Sequence, residues 1–145
     1  MRSLGKTGKF LWSGVARSLA LPVCALGFVV FAHAAQAACT PTGFVRDSIN
    51  LTAALINPPG KVSGDVDATG CNIGIYYSTG VRQVRNANVH GANYYGIVNN
   101  GARVDILSST ISDIGEKPFN GTQHGVAIYF AFGSNAKGSI INNSV

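Results

Sequence analysis

The chain has 145 residues, 46% of them hydrophobic and only 12% charged, with a formal net charge of +5. Four of its 11 Lys and Arg (Arg2, Lys6, Lys9 and Arg17) stand before an apolar run, and the other 7 face 6 Asp and Glu, a balance of +1. No Lys/Arg cluster remains that could neutralise a run of phosphates, which excludes a nucleic-acid partner.

From the N-terminus, the basic start leads into Leu19 to Ala32, "LALPVCALGFVVFA", and then into small residues, "HAAQAAC". A basic segment, an apolar stretch and an A-x-A site form a secretory signal peptide over residues 1–37. Cleavage is expected after Ala35-Gln36-Ala37, with Ala32-His33-Ala34 the second choice. The apolar run is about 14 residues and contains Pro22, short of the roughly 20 that a membrane-spanning helix needs. No transmembrane segment is therefore expected after the leader is removed, and the location is periplasmic or extracellular.

Cys24 leaves with the leader, so Cys39 and Cys71 remain as an even pair in an exported chain and are expected to form a disulfide. The alternative is a lipoprotein acylated on Cys39. Gln36 stands where a lipobox has Leu, which weakens that reading.

Residues 38–60 read as an N-terminal cap. Ile49, Leu51, Ala53 and Leu55 alternate as a strand does. Ile49, Ala53 and Ile56 also suit a helix that starts at Asp47 or Ser48 and stops at Pro58-Pro59-Gly60. The strand is favoured.

Residues 61–145 repeat. Gly74-Ile75 matches Gly96-Ile97, and Val84-Arg85-Asn86-Ala87-Asn88-Val89 matches Ile106-Leu107-Ser108-Ser109-Thr110-Ile111, both at an offset of 22. Ile140-Ile141-Asn142-Asn143-Ser144-Val145 is a third copy, and Gly125-Val126 is taken as its opening pair. That alignment puts seven extra residues before Gly125 and five more before Ile140. A weaker copy begins at Val62, although Val66 to Val89 is 23 rather than 22. Within each copy the apolar residues alternate, as Val104 and Ile106 do, between Gly, Asn and Ser. That is a strand-and-turn pattern, and short strands repeating at about 20 residues suit a solenoid. Equivalent residues should then stack in columns: Ile75, Ile97 and Val126; Val84, Ile106 and Ile140; and a polar column of Asn86, Ser108 and Asn142 that hydrogen-bonds along the stack.

Gly-Ile followed by a strand, then "N-x-N-V" or "N-N-S-V" and a short turn, resembles the right-handed parallel β-helix repeats of the pectin-lyase-like superfamily. The likeness covers residues 74 to 145. It implies an all-β fold of about three to four coils with an N-terminal cap. The sequence stops on a repeat strand, which implies an incomplete solenoid able to self-associate through an uncapped C-terminal edge.

The superfamily holds lyases, hydrolases, adhesins and tailspikes, so the fold does not choose an activity. Its polygalacturonase-like members combine paired Asp, His-Gly and Arg-x-Lys; here only His124-Gly125 is present, and a corner position explains it. Asp65 and Asp67 in "GDVDATG" could offer oxygens to calcium, but two carboxylates supply too few ligands. No catalytic residue, metal site or cofactor is assigned. The insertions are the better place for function. The first, in "SDIGEKPFNGTQH", carries Glu116, Lys117 and His124, the second, in "YFAFGSNAKG", carries Tyr129 and Phe130, and Tyr94 and Tyr95 add aromatic surface. Such faces can stack on sugar rings, although aromatics in a repeat more often fill it or cover its edge. Asn50, Asn120 and Asn142 head glycosylation triplets. The expectation is an exported scaffold without a complete catalytic site, binding a surface or a polysaccharide. The alternative is the N-terminal portion of a polysaccharide lyase or glycoside hydrolase with its catalytic residues beyond Val145.

Overall fold

The computed structural model describes residues 38–115, 125–131 and 135–145. The expected leader, and with it Glu116, Lys117 and His124, lies outside the described residues. Ten strands and no helix occupy the described chain: β1 Thr40–Arg46, β2 Ile49–Ile56, β3 Lys61–Asp67, β4 Ile73–Tyr77, β5 Val81–His90, β6 Tyr95–Asn99, β7 Arg103–Leu107, β8 Thr110–Ser112, β9 Val126–Phe130 and β10 Ile140–Ile141. The protein is all-β there.

The chain feeds two sheets alternately. One has the order β1-β2-β4-β6-β9, the other β10-β7-β5-β3 with β8 also on β5. All pairings are parallel except that of β1 with β2. Parallel neighbours need a crossover between them. Here the crossover from β4 to β6 is β5, a strand of the other sheet, so every repeat contributes to both.

The register bears out most of the expected columns. Val62, Val84, Ile106 and Ile140 are successive partners in the second sheet. In the first sheet the column is Leu55, Ile75, Ile97 and Ile128. Val126 does not belong to it, because it lies beside Tyr95. From Ile97 to Ile128 is 31 residues (128 − 97), nine more than the repeat of 22 between Val84 and Ile106. From Ile106 to Ile140 is 34, so three residues enter after β9. The total of twelve extra residues stands, but the division into seven and five does not. Alternation has a period of two, so a shift of two residues leaves the apolar pattern intact. The 23-residue spacing of Val66 and Val89 is a bulge: the register changes between Val62 and Gly64, where one strand carries an extra residue.

Segment 38–60 is strand throughout its two elements, and Leu51 and Ala53 are fully buried as the alternation requires. β2 also pairs in parallel with β4, so it opens the repeating sheet and only β1 stands apart from it. β1 is tied down by the Cys39–Cys71 disulfide, whose Cα atoms are 5.3 Å apart. This bond fits an oxidising compartment and leaves the Cys39 sulfur no free valence for a lipid.

Two main apolar clusters result. The first draws Ile75, Tyr77 and Ile97 from one sheet and Val62, Val66, Val84, Val89, Val104, Ile106 and Ile111 from the other, so it lies between them. Each fully buried Ile or Val there contributes about 1.5–3 kcal/mol. The second uses only residues of the first sheet and its loops, among them Leu51, Ile73, Tyr76, Tyr95 and Val98. It covers that sheet's other face, beneath Phe44 of β1.

At the corners, Asn86, Ser108 and Asn142 all sit in the left-handed region, with φ of 54°, 48° and 53°. Asn tolerates that region because its short side chain bonds locally, and Ser is a less usual occupant. The predicted polar column is real as a backbone device. The hydrogen bonds along the stack run one position later: Ala87 N–H donates to Ser109 Oγ at 3.2 Å, and Ser109 N–H donates to Asn143 Oδ1 at 2.9 Å. Similar side-chain bonds join neighbouring repeats elsewhere. Asn57 Nδ2 donates to Ser78 Oγ at 2.9 Å, and Ser139 Oγ donates to Asp105 Oδ1 at 2.8 Å. Buried Asn99 receives the Ala102 N–H on its oxygen and donates to the carbonyls of Ala102 and Lys137. Its amide is thus satisfied in a site where an unpaired one would cost about 1–3 kcal/mol.

Candidate functional site

On strands β3, β5 and β8 the buried side chains Val66, Val89 and Ile111 alternate with polar ones. Successive side chains of a strand point to opposite faces, so the polar set faces outward. Register stacks it into two files across the second sheet. Asp65, Asn88, Thr110 and Ser144 are consecutive neighbours, and all four are exposed. Beside them run Asp67, His90 and Ser112. Neighbouring strands lie about 4.8 Å apart, so the files present donors and acceptors at that repeat along an outward polar face.

The β3 end of the face is an ordered cluster. Asn88 Nδ2 donates to Asp65 Oδ1 at 2.7 Å, and His90 Nε2 lies 3.3 Å from the same oxygen. His90 Nδ1 is 3.9 Å from Asp67 Oδ1, which accepts the Thr69 N–H at 2.9 Å. The Asn88 hydrogen bond, then the His90 contact, hold the Asp65 carboxyl below its ordinary range. Hydrogen bonds from Thr69 do the same for Asp67. Both carboxylates are open to water, with side-chain exposures of 65% and 38%, so they remain charged, solvated acceptors near neutral pH. Gly91 has a φ of 78°, and a Cβ there would stand 2.6 Å from Thr69 Oγ1, so the turn beside the cluster requires glycine.

Among the described residues no group of three or more His, Cys, Asp or Glu is placed to hold a metal ion. No helix of the described residues is long and apolar enough to cross a membrane.

The aromatic candidates lie elsewhere. Tyr94 and Tyr95 are buried, at 6% and 3% exposure. The Tyr95 ring is 5.2 Å from that of Tyr129 and 6.4 Å from that of Phe44. Burial pushes the Tyr95 phenol up from its ordinary pKa of 10.0. Half-buried Tyr129 belongs to the same packing, and Phe130 packs against the cluster between the sheets. Tyr94 and Tyr95 are thus buried in this packing, and Tyr129 and Phe130 are half-buried against it. Sequence reasoning missed the outward files. Their signal was present, since Asp65-Val66, Asn88-Val89, Thr110-Ile111 and Ser144-Val145 all place a polar residue before a column aliphatic. Comparison with protein-family models, curated proteins and solved structures returned no match.

Proposed function

We propose that the chain is an exported right-handed parallel β-helix of the pectin-lyase-like kind, a scaffold with no catalytic site of its own that binds polysaccharide on the outer face of its second sheet. Support for the β-helix comes from parallel strands delivered alternately to two sheets, with residues 22 apart in register. Support for export comes from the leader-like residues 1–37 and the Cys39–Cys71 bond. The observation that carries the binding reading is the exposed file Asp65, Asn88, Thr110 and Ser144, four short polar side chains on four neighbouring strand positions. Rigid, regularly spaced hydroxyls, amides and carboxylates suit a repeating ligand rich in hydroxyls, because the protein groups are already ordered before binding. Asp65 and Asp67 place negative charge at one end of the face, which favours neutral over anionic polysaccharide.

Titrating soluble neutral glucans and polygalacturonate into labelled protein, followed by amide NMR, tests this. Shifts confined to residues 65–67, 88–90 and 110–112 with the neutral polymer are expected. Replacing Asn88 and Thr110 together by Ala should weaken binding about thirtyfold, at roughly 1 kcal/mol for each of two lost hydrogen bonds. Binding that this double variant leaves unchanged, or no binding of any neutral polymer, would remove the reading.

A further inference from the structure

The outward residues of the second sheet change character at the corner made by Asn86, Ser108 and Asn142. After the corner they are the acidic and neutral files of Asp65, Asp67, Asn88 and Thr110. Before it, Val84, Val104 and Ile106 are buried, so the residues that alternate with them face outward. Register gathers these into files. Val81, Arg103 and Lys137 form one, Lys61 and Asp105 belong to a second, and Arg85 and Leu107 to a third. Lys61, Arg85, Arg103 and Lys137 are all exposed. They are four of the 7 Lys and Arg that follow the leader-like segment, and the strip beyond the corner carries none. No stretch of sequence shows this cluster, because each cation comes from a different part of the chain.

Among the described residues no carboxylate lies within 4.0 Å of any of the four cations. Asp105, the acid of this strip, is half-buried, and its Oδ1 accepts from both the N–H and the Oγ–H of Ser139. Arg103 stands directly beside Lys137, and like charges on neighbouring strands repel. The cations therefore contribute nothing to the fold by standing together. Aliphatics lie among them: Val81, 71% exposed, adjoins Arg103, and half-buried Leu107 adjoins Arg85.

We propose that this strip docks on an anionic lipid surface. Each Lys or Arg held near an anionic leaflet raises affinity about fivefold, and exposed aliphatics between the cations enter the boundary of headgroup and acyl chain. A soluble polyanion would match the charge and leave Val81 in water, so lipid is the partner that uses both features. The same surface repels Asp65 and Asp67, which turns the polar face beyond the corner away from the lipid. The proposal rests on the placement of charge and not on polysaccharide binding.

The full chain should cosediment with vesicles of phosphatidylcholine and phosphatidylglycerol more strongly than with phosphatidylcholine alone. Acetylation of the bound chain, read by mass spectrometry, should find Lys61 and Lys137 protected on the mixed vesicles and open on the neutral ones. Protection at these two positions separates the strip from the basic start of the chain, which also attracts anionic lipid. Arg85→Gln and Arg103→Gln should each lower the affinity about fivefold. Arg46→Gln removes the same charge from β1, in the first sheet, and should leave the affinity unchanged. All three side chains are exposed, so none of these changes threatens folding. Val81→Ser should weaken binding to the mixed vesicles and not to dextran sulfate, a polyanion without an apolar phase. Equal losses from Arg46→Gln and Arg103→Gln would trace binding to net charge alone and overturn the proposal. Lys61 and Lys137 left open on the mixed vesicles would overturn it too. So would a Val81→Ser variant that binds vesicles as the unaltered chain does, which would make the strip a site for soluble polyanions.

Discussion

Two kinds of recurring residue, one at the turns and one inside the strands, act for different reasons. Asn86, Ser108 and Asn142 recur because the chain turns there through the left-handed region. Gly74 and Gly96 recur because two repeats meet there with no room for a side chain. A Cβ on Gly74 would stand 2.6 Å from both the Gly96 carbonyl oxygen and Val89 Cγ1. On Gly96 it would press into the Ile111 Cγ2 methyl and the Ala127 backbone. Since the backbones of neighbouring strands cannot separate without losing their ladder, overpacking has no easy relief. Gly96→Ala is therefore expected to destabilise the protein by about 1–3 kcal/mol, read as a lowered urea midpoint. Gly115, which has nothing within 4 Å of the same added atom, should accept Ala with no measurable loss. An equal response at the two positions would show that the close approach at Gly96 is not what fixes glycine there.

At the scale of the strand, the exposed end of β3 and its neighbour β5 make stability depend on acid. Asp65 and Asp67 have their folded-state pKa values lowered from the ordinary 3.8, the first by Asn88 and His90 and the second by Thr69. A depressed carboxyl binds fewer protons folded than unfolded. Its contribution is present above 3.8 and is lost as pH falls through the lowered folded values. Urea midpoints should decline from about pH 5 downward, and the decline should be shallower in the Asp65→Asn, Asp67→Asn double variant. Identical slopes would mean that these contacts favour neither protonation state. The same strands show how much the sequence displayed. Val84, Ile106 and Ile140 were legible as a column because an inward file tolerates only aliphatics, and the offset of 22 is unbroken between β5 and β7. The pairing of Ile97 with Ile128 was not. A Gly-aliphatic pair at Gly125-Val126 imitates Gly96-Ile97, and an insertion can be divided in several ways that all preserve alternation. The outward files were the hardest to see, because on a solvated face Asp, Asn, Thr and Ser are interchangeable and only the register shows that they stand in line.

For the whole molecule, β1 is the place to test cohesion. β1 runs antiparallel to β2, unlike every other pairing in the two sheets. β1 owes its place to three contacts of different kinds. Its ladder with β2 is interrupted between Pro41 and Val45. Phe44, at that interruption, sits 6.1 Å from the ring of Tyr76 and 6.3 Å from that of Tyr129. The Cys39–Cys71 bond then closes 32 residues of chain, for which the loop-entropy relation gives about 3–4 kcal/mol. Replacing both cysteines by Ser should lower the free energy of unfolding by roughly that amount. It should do so more than Phe44→Ala does, because a half-buried ring gives up only part of its packing when removed. Cys71 is buried beside Ala68 and Ala92, so part of the loss could come from burying a hydroxyl there. Reducing the bond in the unaltered protein separates the two effects, since a free thiol packs as well as half a disulfide. If the reduced protein matches the oxidised one in urea midpoint and near-ultraviolet tyrosine signal, β1 is held by its strand pairing and Phe44 alone, and the bond does not stabilise the fold.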